Sequence, residues 1–294
     1  MYIIANPFAA RGRSVAVMAK IEELLKAKSI EYELVWTNSP GHATELAREA
    51  AKTHKVVVSA GGDGTMREVA IGLLGTESAL AVLPCGTGND YYKGVGMPNK
   101  KKLEEVVDVL VRGNIRMCDV GYANGWPFFN VLGCGLDMDI FEASIPLKKK
   151  FTGQFAYIAS IFKVLPAFKP HRVRISLDGG PLTDYNVLVC TINQTEVFGG
   201  GMKPAPGATP DDGYFHICLL HNYYRRHIPF YLPFYIGGKH TKFKGCILQK
   251  CQTVRIETDV PLPFEIDGDR GPVADKGQPV EITIERQTLP VVVP

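Results

Sequence analysis

Three short stretches combine glycine with residues that handle phosphate. Gly61-Gly62-Asp63-Gly64-Thr65 follows an apolar run at 56–59 and opens a helical pattern. Pro84-Cys85-Gly86-Thr87-Gly88-Asn89-Asp90 follows a second apolar run at 79–83. Asn6-Pro7-Phe8-Ala9-Ala10-Arg11-Gly12-Arg13 follows the apolar start of the chain and offers an amide side chain, a turn and two cations to phosphate oxygens. Glycine at a strand-to-helix turn lets backbone N–H groups, here those of Gly64 and Thr65, point at an anion. Two phosphate signatures are excluded. There is no GxxxxGK[ST], and Arg67 falls where the third glycine of GxGxxG would stand. Asp63 raises a question, because a carboxylate repels a bare phosphate. Taken alone it can be a helix cap, worth about 0.3–1 kcal/mol through the helix dipole.

Other acids sit in turns. Asp211 and Asp212 lie in Pro206-Gly-Ala-Thr-Pro-Asp-Asp-Gly213, Asp267 and Asp269 flank Gly268, and Asp119 follows Cys118. Each has a plain reading as an Asx turn, a β-turn or a strand end. His216 and His221 have no cysteine at ligand spacing, and Cys246 and Cys251 have no second pair, so spacing argues against a zinc site. Tyr223, Tyr224, Phe230, Tyr231, Phe234 and Tyr235 crowd one helical stretch, which serves either as core or as a lipid-facing wall.

Strand patterns at 2–5, 32–36, 56–59 and 79–83 alternate with helical patterns from Ser14, over 41–54, through Leu74 and over 101–111. That alternation predicts a parallel sheet covered on both faces. Beyond 115 the pattern changes. Strand-like runs at 115–122, 127–132, 172–177, 185–193, 214–220, 253–257 and 280–285 are interrupted by helical stretches at 152–165 and 223–237, which predicts a β-sandwich domain. The apolar tail at 291–293 can return to either domain.

The 294 residues suit two domains, and 46% apolar content is ordinary for a globular chain. A net charge of +3 gives no field for nucleic acid, so no nucleic-acid partner is expected. Basic runs at 100–102, 148–150 and 225–226 are solvated faces or contacts to an anionic surface. Seven cysteines without CxxC spacing read as a reduced, intracellular chain. The first residues lack the basic region of a signal peptide, and the apolar stretch at 228–236 carries two prolines and is too short to span a bilayer. Any membrane contact is therefore made from the surface.

GGDGT, GTGND, the Asn-Pro start and the late Asp-Gly-Asp together resemble the diacylglycerol kinase catalytic family, in particular its bacterial soluble lipid kinases. They are also similar to sphingosine and ceramide kinases. NAD kinases and phosphofructokinases carry relatives of GGDGT, while GTGND and the stretch at 206–213 narrow the likeness to the lipid-kinase branch. The resemblance runs from Asn6 to beyond Asp269. It implies an α/β fold: an N-terminal α/β domain with a parallel sheet, phosphofructokinase- and NAD kinase-like, at 1–118, with 287–294 returning to it. A C-terminal β-sandwich lipid domain occupies 119–286.

The resemblance further implies that Asn6, Pro7, Phe8, Ala9, Ala10, Arg11, Thr37, Gly61, Gly62, Asp63, Gly64, Thr65, Met66, Arg67, Thr87 and Asn89 contact ATP. In it Asp63 works with Mg²⁺, which takes carboxylate and phosphate oxygens together and so resolves the repulsion. Asp119 joins that network. Asp269, where the family has glutamate, is the general base, with Asp267 beside it. Thr209, Asp212 and Tyr214 would hold a structural Mg²⁺, with an Asx turn as the alternative. The implied reaction is ATP- and Mg²⁺-dependent phosphorylation of diacylglycerol to phosphatidate. Another lipid alcohol, or a nucleotide-binding regulator with weak catalysis, are the rivals. A cytoplasmic protein peripherally attached to an anionic membrane is implied, and a homodimer stays open.

Overall fold

The computed structural model describes residues 1–147 and 154–294, so the lysine run at 148–150 lies outside the described residues. The chain divides into two compact units, Met1–Asp119 with Arg286–Pro294, and Val120–Glu285.

The first unit alternates strand and helix: β1 (Tyr2–Ala5), α1 (Arg13–Ala27), β2 (Glu33–Trp36), α2 (His42–Ala50), β3 (Val56–Gly61), α3 (Asp63–Leu73), β4 (Ala79–Pro84), α4 (Asp90–Gly94), α5 (Leu103–Arg112) and β5 (Asn114–Ala123), whose end enters the second unit. β1 pairs in parallel with β2 and β3, and β3 with β4. Neighbours such as Ile3 and Ile4, or Val57 and Val58, are all fully buried. Successive strand residues point to opposite faces, so both faces of this sheet are covered. α1 packs on α5, and α2 on α3. The second pair touches at Gly72, where an added Cβ would lie 2.5 Å from the Thr44 carbonyl oxygen. Register pairs Ala5 with Trp36 and with Ala60, and Ala60 with Leu83. The carboxyl ends of four strands therefore finish level, the place where open α/β sheets take ligands.

The second unit continues with β6 (Trp126–Phe128), β7 (Val131–Gly135), α6 (Leu136–Leu147), α7 (Gln154–Val164), β8 (His171–Leu177), β9 (Thr183–Asn193), β10 (Phe215–His221), α8 (Ile228–Ile236), β11 (Cys246–Cys251), β12 (Thr253–Glu257), β13 (Leu262–Ile266), β14 (Asp269–Ala274) and β15 (Val280–Val293). Its strands run antiparallel in the order β14-β13-β7-β9-β8-β12-β15, and β10 pairs with both β9 and β11. Alternation along β10 divides two cores. Phe215, Ile217 and Leu219 join the sandwich interior with Phe128 and Phe264, while Cys218 and Leu220 join a second cluster with residues of α6, α7 and α8. The end of β15 returns to the first unit, where Val291 pairs in parallel with Leu80 of β4.

Beside α4, β11, β13 and β14, which the expected elements do not include, two sequence expectations change. One strand over 127–132 becomes β6 and β7, because the backbone turns between them to meet a single carboxylate. Asp267 accepts the N–H groups of Phe129, Asn130 and Val131 at 2.7, 2.9 and 2.9 Å. Amides aimed at one side chain cannot also serve a ladder. α6 was not expected, because its buried residues Leu136, Met138, Ile140 and Phe141 wrap around the helix and leave no single apolar stripe to read.

Asp267 is also a turn residue. Asp267 and Gly268 have φ of 50° and 86° and join β13 to β14 with Ile266 opposite Asp269. Positive φ at both central residues of a two-residue hairpin is the type I′ geometry that Asp-Gly favours. The side chain is buried and spent on three backbone donors, so Asp267 moves from the catalytic set to the scaffold. Asp267→Ala strips three amides of their acceptor and should cost on the order of 3 kcal/mol or more of stability. Asp267→Asn, which keeps one acceptor oxygen, should cost less. Urea unfolding measures both, and a loss under about 1 kcal/mol in the alanine variant would mean that the amides find other partners.

Candidate functional site

Asn6, Thr37, Gly61 and Cys85 follow or close the level strand ends of the first unit. The Asn6 N–H donates to the Ala60 carbonyl at 3.0 Å and the Thr37 N–H to that of Ala5 at 2.8 Å. Asn6 Nδ2 donates to Thr65 Oγ1 at 3.0 Å, while its Oδ1 accepts the Phe8 N–H at 2.9 Å. One amide thus ties the β1 loop to the first turn of α3. Beyond it, Ala10, Arg11 and Gly12 have φ of 49°, 60° and 83° in succession. Left-handed backbone is costly for residues with a Cβ, and such strain gathers at ligand-binding loops. Pro7, Phe8 and Ala9 lead into this turn, and the Phe8 ring is exposed.

The two glycine turns touch backbone to backbone. A Cβ on Gly86 would fall 2.2 Å from the Gly62 Cα, and one on Gly61 would strike the Thr65 side chain. Asn89, itself left-handed, closes its own turn: Oδ1 accepts the Gly86 N–H at 3.0 Å and Nδ2 donates to the Gly86 carbonyl at 2.9 Å. Asp63 then crosses between the turns. Its Oδ1 accepts the Asp90 N–H at 2.6 Å and the Tyr91 N–H at 3.3 Å. Gly88 lies so close that a Cβ there would sit 2.7 Å from Asp63 Oδ2 and 3.5 Å from Asp90 Oδ2.

Two carboxylates therefore share one small volume. Part of Asp63 reaches solvent, yet burial of its carboxyl, then repulsion from Asp90, outweigh the backbone donors and push its pKa up to about 6. Cations gather around the pair. Lys93 Nζ is 3.0 Å from Asp90 Oδ1. Lys100 feels burial, then Lys93 and Arg13, all lowering its pKa, against the opposing pull of Asp63 and Asp90. Reading the sequence offered Arg13 as one of the two cations of the first turn, but missed Asp90, Lys93 and Lys100 as site residues. The signal was present for two of them: Asp90 ends the GTGND turn, and Lys100 opens a basic run that reads equally well as a solvated face.

The structure also places the other sequence candidates. Gly64 and Thr87 are exposed at the turns, and Arg67 is half-buried on α3. Met66 is a core residue, 1% exposed, and its N–H donates within the helix to the Gly62 carbonyl, so it leaves the ligand set. Asp119 is buried and its Oδ1 accepts the Gln287 N–H at 2.8 Å, fastening the returning chain. Asp269 is exposed at the start of β14 and accepts the Arg270 N–H at 2.8 Å. Arg270 in turn grips Glu142 of α6 through Nε at 2.7 Å and Nη2 at 2.9 Å, fixing the hairpin on the second unit.

The Asp212 loop takes the Asx-turn form. Oδ1 accepts the Tyr214 N–H at 3.1 Å, and Oδ2 meets Lys250 Nζ at 2.8 Å and His216 Nε2 at 2.9 Å. Burial opposes the charge, but Lys250 and His216 hold the carboxyl below its ordinary value. In the metal-free chain the Lys250 ammonium balances this carboxylate, the Asx-turn alternative, and a Mg²⁺ held by Thr209, Asp212 and Tyr214 would have to displace it.

Two family models match the chain: the diacylglycerol kinase catalytic domain over residues 1–123, and the YegS C-terminal NAD kinase beta sandwich-like domain over 131–293. The diacylglycerol kinase of Bacillus subtilis (strain 168) is 29% identical over 273 residues, 92% of this chain and 89% of that protein. That of Staphylococcus aureus (strain JH9) is 28% identical over 274 residues, 92% of this chain and 85% of that one. A solved diacylglycerol kinase from Bacillus anthracis str. Sterne superposes at TM-score 0.77 and 22% identity, covering 100% of this chain and 96% of that chain. Yeast NADH kinase complexed with NADH superposes at 0.57 and 11%, covering 100% and 83%, a likeness of fold.

The raised Asp63 pKa sets a pH dependence. An acid whose folded pKa lies above its unfolded value leaves stability intact below about 4 and removes it as pH rises through about 6. Asp63→Asn keeps the acceptor oxygen and drops the charge. In chelator without nucleotide it should be more stable than wild type by on the order of 1–3 kcal/mol at pH 8, with the gap closing toward pH 4. Melting curves across that range test it, and a gap independent of pH would show that Asp63 is solvated like a surface carboxylate.

Proposed function

This chain belongs to the diacylglycerol kinase catalytic family and is a lipid kinase, and from that premise we propose that it moves the γ-phosphoryl group of ATP, taken up with magnesium, to the primary hydroxyl of diacylglycerol, giving phosphatidate. The observation that carries this reading is the meeting of Asp63 and Asp90 with Lys93, Lys100 and Arg13 at the strand ends of the first unit. Phosphoryl transfer asks little covalent chemistry of a protein and much positioning of charge.

The three cations draw in the polyphosphate, and the N–H groups that open α3 orient it. Asn6 keeps the Thr65 hydroxyl in place beside them. Asp63 and Asp90 are the residues that would hold Mg²⁺: they are hard oxygen donors, and a cation relieves the repulsion that raises Asp63. When bound, the ion neutralises charge on the phosphates. Asp269, exposed beside the turn that Asp267 holds, takes the proton of the attacking hydroxyl.

The lipid reading draws on the second unit. A small apolar cavity of about 50 Å³, partly open to solvent, is walled by Leu136, Ile140, Leu188, Phe198, Met202 and Tyr235. Apolar walls suit an acyl chain, which would have to part them to enter. α8 is one wall, which answers in part for its aromatics: Tyr231, Leu232 and Tyr235 face the cavity. Phe230 and Phe234 do not; they are 64% and 37% exposed, near exposed Lys239, Lys242 and Lys244. Among the described residues no helix is long and apolar enough to cross a membrane. An outward aromatic pair with cations around it suits contact with an anionic bilayer surface.

Transfer from labelled ATP to a panel of diacylglycerol, sphingosine and ceramide tests the acceptor, and a faster rate on either of the last two would replace diacylglycerol. Asp269→Asn should lower kcat by about 100-fold or more while the KM for ATP holds; a wild-type rate would remove Asp269 as the base. Phe230→Ser with Phe234→Ser should weaken binding to anionic vesicles by about tenfold or more, each ring being worth about 1.5–3 kcal/mol if fully buried. Activity on detergent-dispersed lipid should stay near normal. Unchanged vesicle binding would leave the pair outside any membrane contact.

A further inference from the structure

A buried cluster of soft ligands lies in the second unit, and none of its three members is assigned above to phosphate or lipid. Cys218 sits on β10, Cys246 begins β11, and His240 lies in the single helical turn His240–Lys242 before it. The register sets Leu220 opposite Cys246 and Cys218 opposite Leu248. The two cysteines are thus diagonal neighbours on one face of the antiparallel pair, and that face is the helix-covered one. His240 closes the third side, with Nε2 at 3.5 Å from Cys218 Sγ. The three ligand atoms all lie within 4.8 Å of one another. Ligands of a tetrahedral zinc ion, with Zn–S near 2.3 Å and Zn–N near 2.0 Å, stand about 3.6–3.8 Å apart, so a small contraction closes the set.

We propose that Cys218, His240 and Cys246 form a zinc site, with the fourth position taken by water. This overturns the expectation drawn from spacing, which paired no histidine with these cysteines. The chemistry of the donors selects the ion, since two thiols and an imidazole suit zinc and do not suit magnesium or calcium. On binding, each thiol releases its proton to solvent as a zinc–sulfur bond forms, and two thiolates cancel the charge of the ion. A neutral complex is what a buried site requires, and Cys218 and His240 are fully buried.

His240 Nε2 faces the Pro204 carbonyl at 3.1 Å, a hydrogen bond that zinc on Nε2 would replace, while its buried Nδ1 makes no hydrogen bond of good geometry. Metal on Nε2 leaves the ring proton on Nδ1, free to find a backbone carbonyl. Metal-bound histidines commonly direct their second nitrogen at such a carbonyl. The hydroxyl of buried Tyr235 likewise makes no hydrogen bond of good geometry, with the Thr191 side chain nearby, and is placed to meet the water in the fourth position. Tyr235 also stacks on His240 at 4.7 Å and lines the apolar cavity. Zinc here would fasten α8, a cavity wall, to the strand pair β10–β11.

The test uses the full chain, reduced and stripped with chelator. Titration with Zn²⁺ against a chromogenic competitor should show one ion per chain, and Co²⁺ in its place should give thiolate charge-transfer and tetrahedral d–d bands. Cys246→Ser, at the least buried of the three positions, should lose affinity by more than about 100-fold, beyond the cost of losing an outer-shell partner. Cys85→Ser should bind as wild type. Because a variant can fail to fold, alkylation of wild type gives an independent reading: Zn²⁺ should protect Cys246 from iodoacetamide, read by peptide mass spectrometry. Zn²⁺ that binds Cys246→Ser as tightly as wild type, or leaves Cys246 alkylation unchanged, overturns the proposal.

Discussion

One carboxylate holds the strand-end edge of the first unit together. Asp63 opens α3, yet its strongest bond, at 2.6 Å, goes to the amide that opens α4. Two turns that follow different strands are joined through it, and their backbones meet at Gly62 and Gly86 with no room for a side chain on Gly86. The glycines are therefore steric requirements of the junction as well as sources of anion-facing amides. The junction also buries the Asp63 carboxyl and sets it beside Asp90, and the cost of burial and then repulsion is a folded-state pKa of about 6, on the order of 3 kcal/mol of disfavoured charge at neutral pH. Tolerating that cost in the free protein makes sense where a cation arrives with the substrate and relieves it.

The second unit is organised by a comparable device used differently. Asp267 gathers three amides into its carboxylate and so decides where β6 ends and β7 begins. Its burial leaves Asp269, two residues on, facing solvent. The same hairpin is held to α6 by Arg270 and Glu142. Meanwhile the strict alternation of β10 sends Phe215, Ile217 and Leu219 into the sandwich and leaves Cys218 and Leu220 for the helical side. That side is loosely filled, with an apolar cavity under α8 and a thiol–imidazole cluster near its end. A helix packed over a cavity forfeits contacts that a full core would supply, and a metal clamp is one way to restore them.

The alternation of short apolar runs with helical stripes was enough to determine a parallel α/β unit, since each element is read over a window of ten residues or so. The glycine turns were legible for the same reason: GGDGT and GTGND are local, and so is the backbone freedom they encode. The gathering of cations at that edge was not: Arg13 was legible as a turn cation, but it meets Lys93 and Lys100 only because β1 and β4 finish level. Likewise Asp267 and Asp269 look alike in a three-residue string. Their separation into a buried anchor and an exposed acid depends on amides more than 130 positions away in the chain. Asp212 had two readings, and its partner in the metal-free chain, Lys250, lies 38 residues on. Cys218, His240 and Cys246 carried no spacing signal at all, because strand pairing rather than sequence distance brings them together. By itself, then, the sequence determined the features that local periodicity and turn chemistry dictate: the fold class, the two turns and the carboxylate between them. Which charges share a volume was decided only by tertiary structure, because Coulombic, hydrogen-bonding and ligand contacts act over a few ångströms of space, whatever the length of chain between them.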